Sequence, residues 1–393
     1  MHKVIYIKRK DAHISMTIRK KDCDHAHSYL HIMLIILIVC IMSILINSNA
    51  TAKTSFNKKK VNGIMSTAVY DDVVVTWEGL KDAKGYEIYE RTEEDSFTCV
   101  KRTASCKAVL KNRIPGKDYQ YYVLAYNMSD NGSMGYCKPS DKVETTVPVT
   151  GRSTVKNLLR TALAPVGNTM YVWGGGWNKA DTAAGKEAKR TGLSASWRNF
   201  AKDKKSGYDY NNYRYLIHKG LDCSGYVGWC VYNIMNTANG KKGYVYKASK
   251  QAKNFSDMGF GEYIPAGKIK DYKPGDIMSS TCSCCGHVWI VVGQCDDKSV
   301  VLIHASAPGV QISGTVTPSG KRNSEAYRLA KKYMKKYYKG WKYPAMLKGS
   351  PYLTHYSQMR WNTEGDDAIL SDPDGYYDMS AKEVLEDLFS IYD

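Results

Sequence analysis

The chain has 393 residues and a formal net charge of +18, from 56 Lys and Arg against 38 Asp and Glu. This length exceeds the needs of one small domain and allows two domains with a targeting segment. The charge is uneven, because residues 364–393 contain ten acidic residues and one lysine. For a chain that is exported, an excess of positive charge favours anionic wall polymers as partners and argues against nucleic acid, with a lysine-rich solvated surface as the alternative.

Residues 1–52 have the pattern of a targeting segment. A basic stretch precedes an apolar run over residues 32–46, and a small-residue site follows at Ala50 and Ala52. The run is shorter than a typical membrane span, so a signal peptide is predicted, with an uncleaved membrane anchor as the alternative. Either way, the remainder is predicted to be secreted or associated with the cell wall.

Residues 62–148 have the pattern of an all-β sandwich. Short strands are predicted at 73–77, 85–90, 97–100 and 119–126, separated by Gly, Pro, Asp and Lys. The order resembles a fibronectin type III domain. Trp77 matches that family's core tryptophan, and Pro115-Gly116 before Tyr119 matches the approach to its tyrosine corner. Cys99 and Cys106 are interpreted either as a bridge between neighbouring strands or as two small buried residues.

The stretch 147–153 is predicted to be a linker, followed by a helix over 153–163 with Ser153 or Thr154 as its cap. Further on, Cys223 is predicted to open a second helix, where the N-terminal dipole would stabilise a thiolate. His287 and His304 lie in strand-like stretches, 286–293 and 300–304. A cysteine, a histidine and a third polar residue that orients the histidine are the requirements of nucleophilic acyl transfer.

Four motifs occur in one order along residues 153–361. They are Tyr-Val-Trp-Gly-Gly-Gly at 171–176, Leu-Asp-Cys-Ser-Gly-Tyr at 221–226, Lys-Pro-Gly-Asp at 273–276, and the two histidine strands. Together they resemble the NlpC-type cysteine peptidases, which are bacterial wall hydrolases with a permuted papain-like fold. The predicted fold class is therefore multi-domain, with the β-sandwich followed by an α+β papain-like domain.

The resemblance implies a role for each motif residue. Cys223 would be the nucleophile, His287 its base, and His304 the residue that fixes the orientation of His287. Tyr171 and the backbone N–H of Cys223 would stabilise the oxyanion. Asp222 and Ser224, which flank the cysteine, would contact the free amine and the backbone of the substrate. No metal or other cofactor is implied.

The implied activity is hydrolysis of an amide bond in peptidoglycan stem peptides by a monomeric enzyme. The family favours the bond between γ-D-glutamyl and a diamino acid. Two alternatives remain: an amidase or amide-forming transferase with the same triad, and a wall-binding or adhesion protein without catalysis.

The chain departs from the family pattern in two places. An aromatic-rich insert, residues 177–220, is interpreted either as a wall of the substrate groove or as a self-packed excursion. Cys282, Cys284 and Cys285 precede His287, and adjacent cysteines suit tetrahedral zinc poorly, which favours a disulfide or a plain loop. A redox hypothesis is a mixed disulfide with Cys223. Further on, a basic amphipathic helix is predicted at 324–339, and an acidic tail with a short helix at 362–393.

Overall fold

The computed structural model describes residues 33–42, 56–92, 96–129, 131–204, 207–235, 242–282 and 286–392. The chain forms two compact units, Met1–Asn57 and Lys58–Asp393. In the first, residues 33–42 form helix α1 with exposed apolar side chains. None of the helices in the described ranges is both long and apolar enough to cross a membrane. Most of residues 1–52 lies outside the described residues, so the signal peptide and the membrane anchor both remain predictions.

The N-terminal part of the second unit is a sandwich of two antiparallel sheets. One sheet has the order β1-β2-β5, and the other has the order β4-β3-β6-β7, with β8 also paired to β6. Alternate side chains of β6 are buried, as expected for a strand with one face on a core. The strands are β1 Met65–Val69, β2 Asp72–Thr76, β3 Gly85–Arg91, β4 Thr98–Thr103, β5 Lys107–Leu110, β6 Asp118–Met128, β7 Met134–Tyr136 and β8 Val143–Thr146.

The prediction of a fibronectin type III-like sandwich is confirmed. Trp77 is buried between the sheets, and the Tyr119 hydroxyl accepts a hydrogen bond from the backbone N–H of Ile114 at 3.0 Å. That bond is the tyrosine corner that the sequence pattern indicates. Both interpretations of Cys99 and Cys106 were wrong, because the two are free thiols, Cys99 is exposed and Cys106 is half-buried.

The second part of this unit is an α+β module on a nine-stranded sheet. Its strand order is β11-β10-β16-β15-β14-β13-β18-β12, with β17 also paired to β16, and the two-stranded sheet β9-β19 lies apart from it. The strands are β9 Ser153–Thr154, β10 Met170–Tyr171, β11 Gly220–Leu221, β12 Gly261–Ile264, β13 Ile277–Ser280, β14 Val288–Gln294, β15 Val300–Ser306, β16 Gly309–Thr315, β17 Leu347–Lys348, β18 Tyr356–Trp361 and β19 Leu370–Ser371.

Two of the predicted helices begin at a residue whose side chain caps the first turn. The Thr154 hydroxyl accepts from the backbone N–H of Asn157, and the Ser324 hydroxyl accepts from that of Tyr327, each at the first turn of a predicted helix. The helices are α2 Val155–Leu163, α3 Ala195–Lys202, α4 Cys223–Ile234, α5 Gln251–Asp257, α6 Glu325–Tyr337, α7 Pro351–Thr354 and α8 Ala381–Phe389.

The acidic C-terminal segment is part of the module core, which corrects the expectation of a tail. Strand β19 pairs with β9, and the apolar face of α8 is buried. The Phe389 ring lies 4.4 Å from that of Tyr337 on α6, and Asp387 pairs with Lys156 at 3.1 Å. The short helix itself was predicted correctly.

Helix α2 joins the sandwich to the α+β module. The Asn157 amide donates to the Thr146 carbonyl at 2.8 Å and accepts from the Thr146 N–H at 3.2 Å. Arg160, one turn later, forms an ion pair with Glu144. The two parts are thus held together by buried polar contacts beyond the linker at 147–153.

Replacing Asn157 with Ala is expected to lower the free energy of unfolding by about 2–3 kcal/mol, because it leaves a buried N–H and a buried carbonyl of Thr146 without that partner. Asn212→Ala, at an exposed position, is the control and should change it by less than about 0.5 kcal/mol. Urea unfolding measures both. Equal, small effects would show that this contact contributes little to the junction.

Candidate active site

The predicted nucleophile lies at the first residue of α4, next to the strand that follows the predicted base. The backbone N–H of Val288, the residue after His287, lies close enough to the Cys223 sulfur to lower the pKa of the thiol, and α4 packs on β14. The thiol is buried, with 6% of the side chain exposed. The structure therefore brings together two residues that are 64 positions apart in the sequence.

The two predicted histidines form a hydrogen-bonded chain that ends in a serine. Nε2 of His287 lies 2.8 Å from Nδ1 of His304, and Nε2 of His304 lies 3.0 Å from the Ser313 hydroxyl. Because Nε2 of His287 is occupied, Nδ1 is the nitrogen left to take a proton from the thiol. Within the described residues no hydrogen bond joins Cys223 to His287. Such bonds are often long before substrate binds.

Burial sets the protonation of the pair. It raises the pKa of Cys223 to about 12, although the N–H groups of Val288 and Ser224 oppose it. Burial, together with the nearby Lys348 ammonium, lowers the pKa of His287 to about 3. The resting pair is therefore a neutral thiol and a neutral imidazole. The N–H groups at the start of α4 do lower the pKa of the thiol, as expected, but burial outweighs them.

Asp222 and Ser224 connect the start of α4 to the glycine-rich turn. The Asp222 carboxylate accepts from the Gly225 N–H at 2.7 Å, the Ser224 hydroxyl at 2.9 Å and the Gly174 N–H at 3.2 Å. The Trp177 indole in turn donates to the Ser224 hydroxyl at 3.0 Å. Burial raises the pKa of Asp222 to about 7. These bonds position Cys223; contact of either side chain with a substrate stays a prediction.

The glycines after Trp173 bring the chain close to itself. The Gly175 carbonyl accepts from the Asp222 N–H at 2.9 Å. A Cβ on Gly176, whose φ is +93°, would lie 2.5 Å from Cα of Gly225. The close approach is made to α4, which explains the glycines without a substrate.

Tyr171 lies beside the cysteine, and part of the insert covers it. Its ring meets that of Tyr210 edge-on at 5.3 Å, and its carbonyl accepts from the Tyr208 hydroxyl at 2.6 Å. Burial, then the neighbouring Cys223 and Asp222, raise the pKa of Tyr171, so its hydroxyl remains a donor.

The insert at 177–220 fits both of its interpretations. Trp197 is buried and meets Trp229 of α4 at 5.8 Å, which is self-packing. Arg214 lies 4.8 Å above the Trp173 ring, and the Tyr215 N–H donates to the Trp173 carbonyl at 2.8 Å, so the insert also borders the first motif.

Three residues near the histidine pair escaped the sequence analysis. The Tyr352 ring lies 5.8 Å from that of His287, and the Lys348 ammonium lies 5.3 Å from the Tyr352 ring. In the buried strand β16, Gln311, Ser313 and Thr315 occupy every second position and so share one face. Polar residues on one face of a buried strand were a usable signal that this face takes part in hydrogen bonds. Nothing in the sequence distinguishes Lys348 from the other lysines.

One group of side chains has the composition of a metal site. The ligand atoms of Cys295, Asp297 and Glu325 lie within 4.8 Å of one another. The Asp297 carboxylate already accepts hydrogen bonds from the backbone N–H groups of Ser299 and of Glu325, the first residue of α6. These bonds explain why Asp297 lies beside the start of α6 without a metal. Residues 283–285 lie outside the described residues. The disulfide, loop and redox interpretations of Cys282, Cys284 and Cys285 therefore stay predictions.

No protein-family model matches the chain, and no curated protein matches it. Among solved structures, the chain is similar to the twitchin kinase region from C. elegans, with 16% identity over 25% of this chain and 18% of that chain and a TM-score of 0.22. It is similar to the FN1–FN3 domains of chicken CNTN1, with 19% identity over 23% of this chain and 32% of that chain and a TM-score of 0.21. It is also similar to the sixth fibronectin type III domain of human fibronectin type III domain containing protein 3, with 19% identity over 23% of this chain and 86% of that chain and a TM-score of 0.20. The chain spans less than a third of the length of the first two. With scores this low, the sandwich is assigned from its own strand order and tyrosine corner.

Proposed function

We propose that this protein is an exported cysteine peptidase of papain-like type that hydrolyses an amide bond in peptidoglycan stem peptides. The expected bond joins γ-D-glutamyl to a diamino acid. The proposal is carried by one arrangement: Cys223 at the start of α4, beside the hydrogen-bonded chain His287–His304–Ser313. The stem-peptide substrate is inferred from the order of the sequence motifs.

The geometry suggests how the reaction proceeds. The Cys223 thiol transfers its proton to Nδ1 of His287 as the sulfur attacks the substrate carbonyl. The negative oxygen that forms is stabilised by the Tyr171 hydroxyl and the Cys223 N–H. The imidazolium then gives its proton to the leaving amine, which leaves a thioester on Cys223.

Water completes the cycle. His287 takes a proton from the water as it attacks the thioester, and the carboxylic acid product and the free thiol are released. Throughout, His304 holds the ring of His287 and keeps a proton on Nε2, so that Nδ1 accepts protons. Ser313 does the same for His304, which makes both of them positioning residues.

The test is mass spectrometry of soluble fragments from purified peptidoglycan incubated with the full-length protein. We expect new termini at a stem-peptide amide bond with the wild type and none with Cys223→Ala. Cys230→Ala, a buried thiol on the same helix, is the matched control and should release the same fragments as the wild type.

Two other outcomes would redirect the proposal. Fragments joined to an added amine in place of water would indicate an amide-forming transferase. Binding to intact peptidoglycan without fragments, by a folded protein whose Cys223 thiol is free, would indicate a wall-binding protein.

A further inference from the structure

A lysine close to the histidine pair is buried without an anion. Lys348 on β17 is 7% exposed. Its ammonium has the Met346 sulfur at 3.5 Å and the face of the Tyr352 ring at 5.3 Å. Among the described residues no carboxylate lies within ion-pair distance of it. A thioether and an aromatic face compensate a positive charge only weakly, and a buried charge without a counterion is costly.

The position of Lys348 relates it to the reaction. It pairs with Thr315 on β16, and Ser313, two residues earlier on that strand, holds His304. Tyr352 is a neighbour of both residues: its ring lies 5.3 Å from the Lys348 ammonium and 5.8 Å from the ring of His287. Within the described ranges an ion pair does not account for a cation here, since removing the lysine would leave no carboxylate of those ranges unpaired.

We propose that Lys348 is a specificity-determining residue that binds a carboxylate of the peptide substrate beside the catalytic pair. This inference rests on the proposed peptidase function and deepens it. The substrate carboxylate would supply the missing counterion, and an ion pair formed in a buried place is stronger than one in water. A stem peptide offers two such groups, one on the acyl side of the scissile amide and one on the amine side.

The protonation of Lys348 supports the assignment. Burial lowers the pKa of this lysine to about 8, so that it is charged at neutral pH and neutral in alkaline solution. The groups that face it are Met346, Tyr352 and the neutral pair of His287 and His304, and none of them is an anion. Binding of a carboxylate should therefore weaken above about pH 8, while binding of an uncharged analogue should not.

The experiment compares three peptides on the full-length protein. They are L-alanyl-γ-D-glutamyl-L-lysine, the same peptide with the glutamyl α-carboxylate amidated, and the same peptide with the lysyl carboxylate amidated. Calorimetric titration of the Cys223→Ala protein gives the affinity, and wild-type kinetics give KM and kcat. We expect one of the two amidations to weaken binding and raise KM at least about tenfold, which also identifies the carboxylate.

Substitutions assign that effect to the lysine. In the Lys348→Met protein the parent peptide should bind as weakly as the amidated one, and amidation should have no further effect. Lys348→Arg should keep the discrimination and extend it beyond pH 8. Removal of an uncompensated buried charge should also raise the melting temperature of Lys348→Met, whereas loss of a merely structural lysine would lower it.

The outcomes separate this inference from the function on which it rests. Cleavage that is indifferent to both amidations, or discrimination that survives in Lys348→Met, overturns the carboxylate site and leaves the peptidase intact. Carboxylate-dependent binding without cleavage supports the site and argues against the peptidase. If no peptide binds in a carboxylate-dependent way, the inference is wrong whatever the kinetics show, and this comparison needs no lysine variant to fold.

Discussion

Replacing His287 with Ala is expected to reduce kcat by about 10⁴-fold, close to the loss caused by Cys223→Ala. The reason is the neutral resting pair. With the pKa of Cys223 near 12, almost no thiolate exists at neutral pH, and the sulfur cannot attack unless a base removes its proton. His287 can act as that base through Nδ1, because its Nε2 is hydrogen-bonded to His304.

The double variant tests whether the two residues act as a unit. Cys223→Ala combined with His287→Ala should be no slower than either single variant, since each removes the same step. His304→Ala should cost less, about 10²-fold, because His287 would keep its ring but lose its orientation. Stopped-flow or discontinuous kinetics on a stem peptide, with circular dichroism to confirm folding, measure all four. Multiplicative losses would mean that His287 acts separately from the thiol.

The pH profile of kcat follows from the same protonation states. The competent form needs a protonated thiol and an unprotonated imidazole. His287 gains a proton only near its pKa of about 3, and Cys223 loses one only near its pKa of about 12. Between these values the group of the site that titrates is Asp222, whose pKa burial raises to about 7, and its protonation weakens the hydrogen bonds that position Cys223. We therefore expect kcat to be flat from about pH 8 to about pH 9 and to fall only through Asp222 below about pH 7. A basic limb below about pH 9 would show that a charged thiolate–imidazolium pair is the active form instead.

The sequence predicted what depends on local pattern. Caps and apolar periodicity located α2, α4, α6 and α8, and the strand alternation with Tyr119 located the sandwich. The packing of the acidic segment was left open by the sequence, because its composition does not show that Val384, Leu385 and Leu388 form an apolar stripe that covers the core.

The candidate site was predictable where residue chemistry identifies a role. Cys223, His287 and His304 are unusual residues in recognisable settings, and the structure places the cysteine beside the residue after His287 and joins the two histidines. Lys348 and Tyr352 come from the segment after α6, and only the tertiary packing brings them to the pair. The protonation of the thiol also escaped prediction, because it depends on burial, which a motif does not contain.

Asp276→Ala is expected to destabilise the protein by about 3–5 kcal/mol, the largest effect on stability that we predict. Asp276 has no exposed surface, and its carboxylate accepts from the Lys273 N–H at 2.8 Å and from Nη2 of Arg360 at 2.9 Å. Its removal would leave a half-buried guanidinium and a backbone N–H without that partner. Its backbone carbonyl accepts from the Val291 N–H at 2.9 Å, so the same turn holds the strand that follows His287.

Arg360 provides a matched control within one ion-pair group. It also pairs with Asp271 at 2.8 Å, but that carboxylate is 45% exposed. Because solvent screens exposed pairs, Asp271→Ala should cost less than about 1 kcal/mol. Urea unfolding of the two variants compares a buried and an exposed carboxylate on one arginine. Equal losses of stability would mean that pairing with Arg360, and not the burial of Asp276, determines the cost of removing the carboxylate. The side chain of Asp276 would then add nothing special to the turn at 273–276 that holds β14.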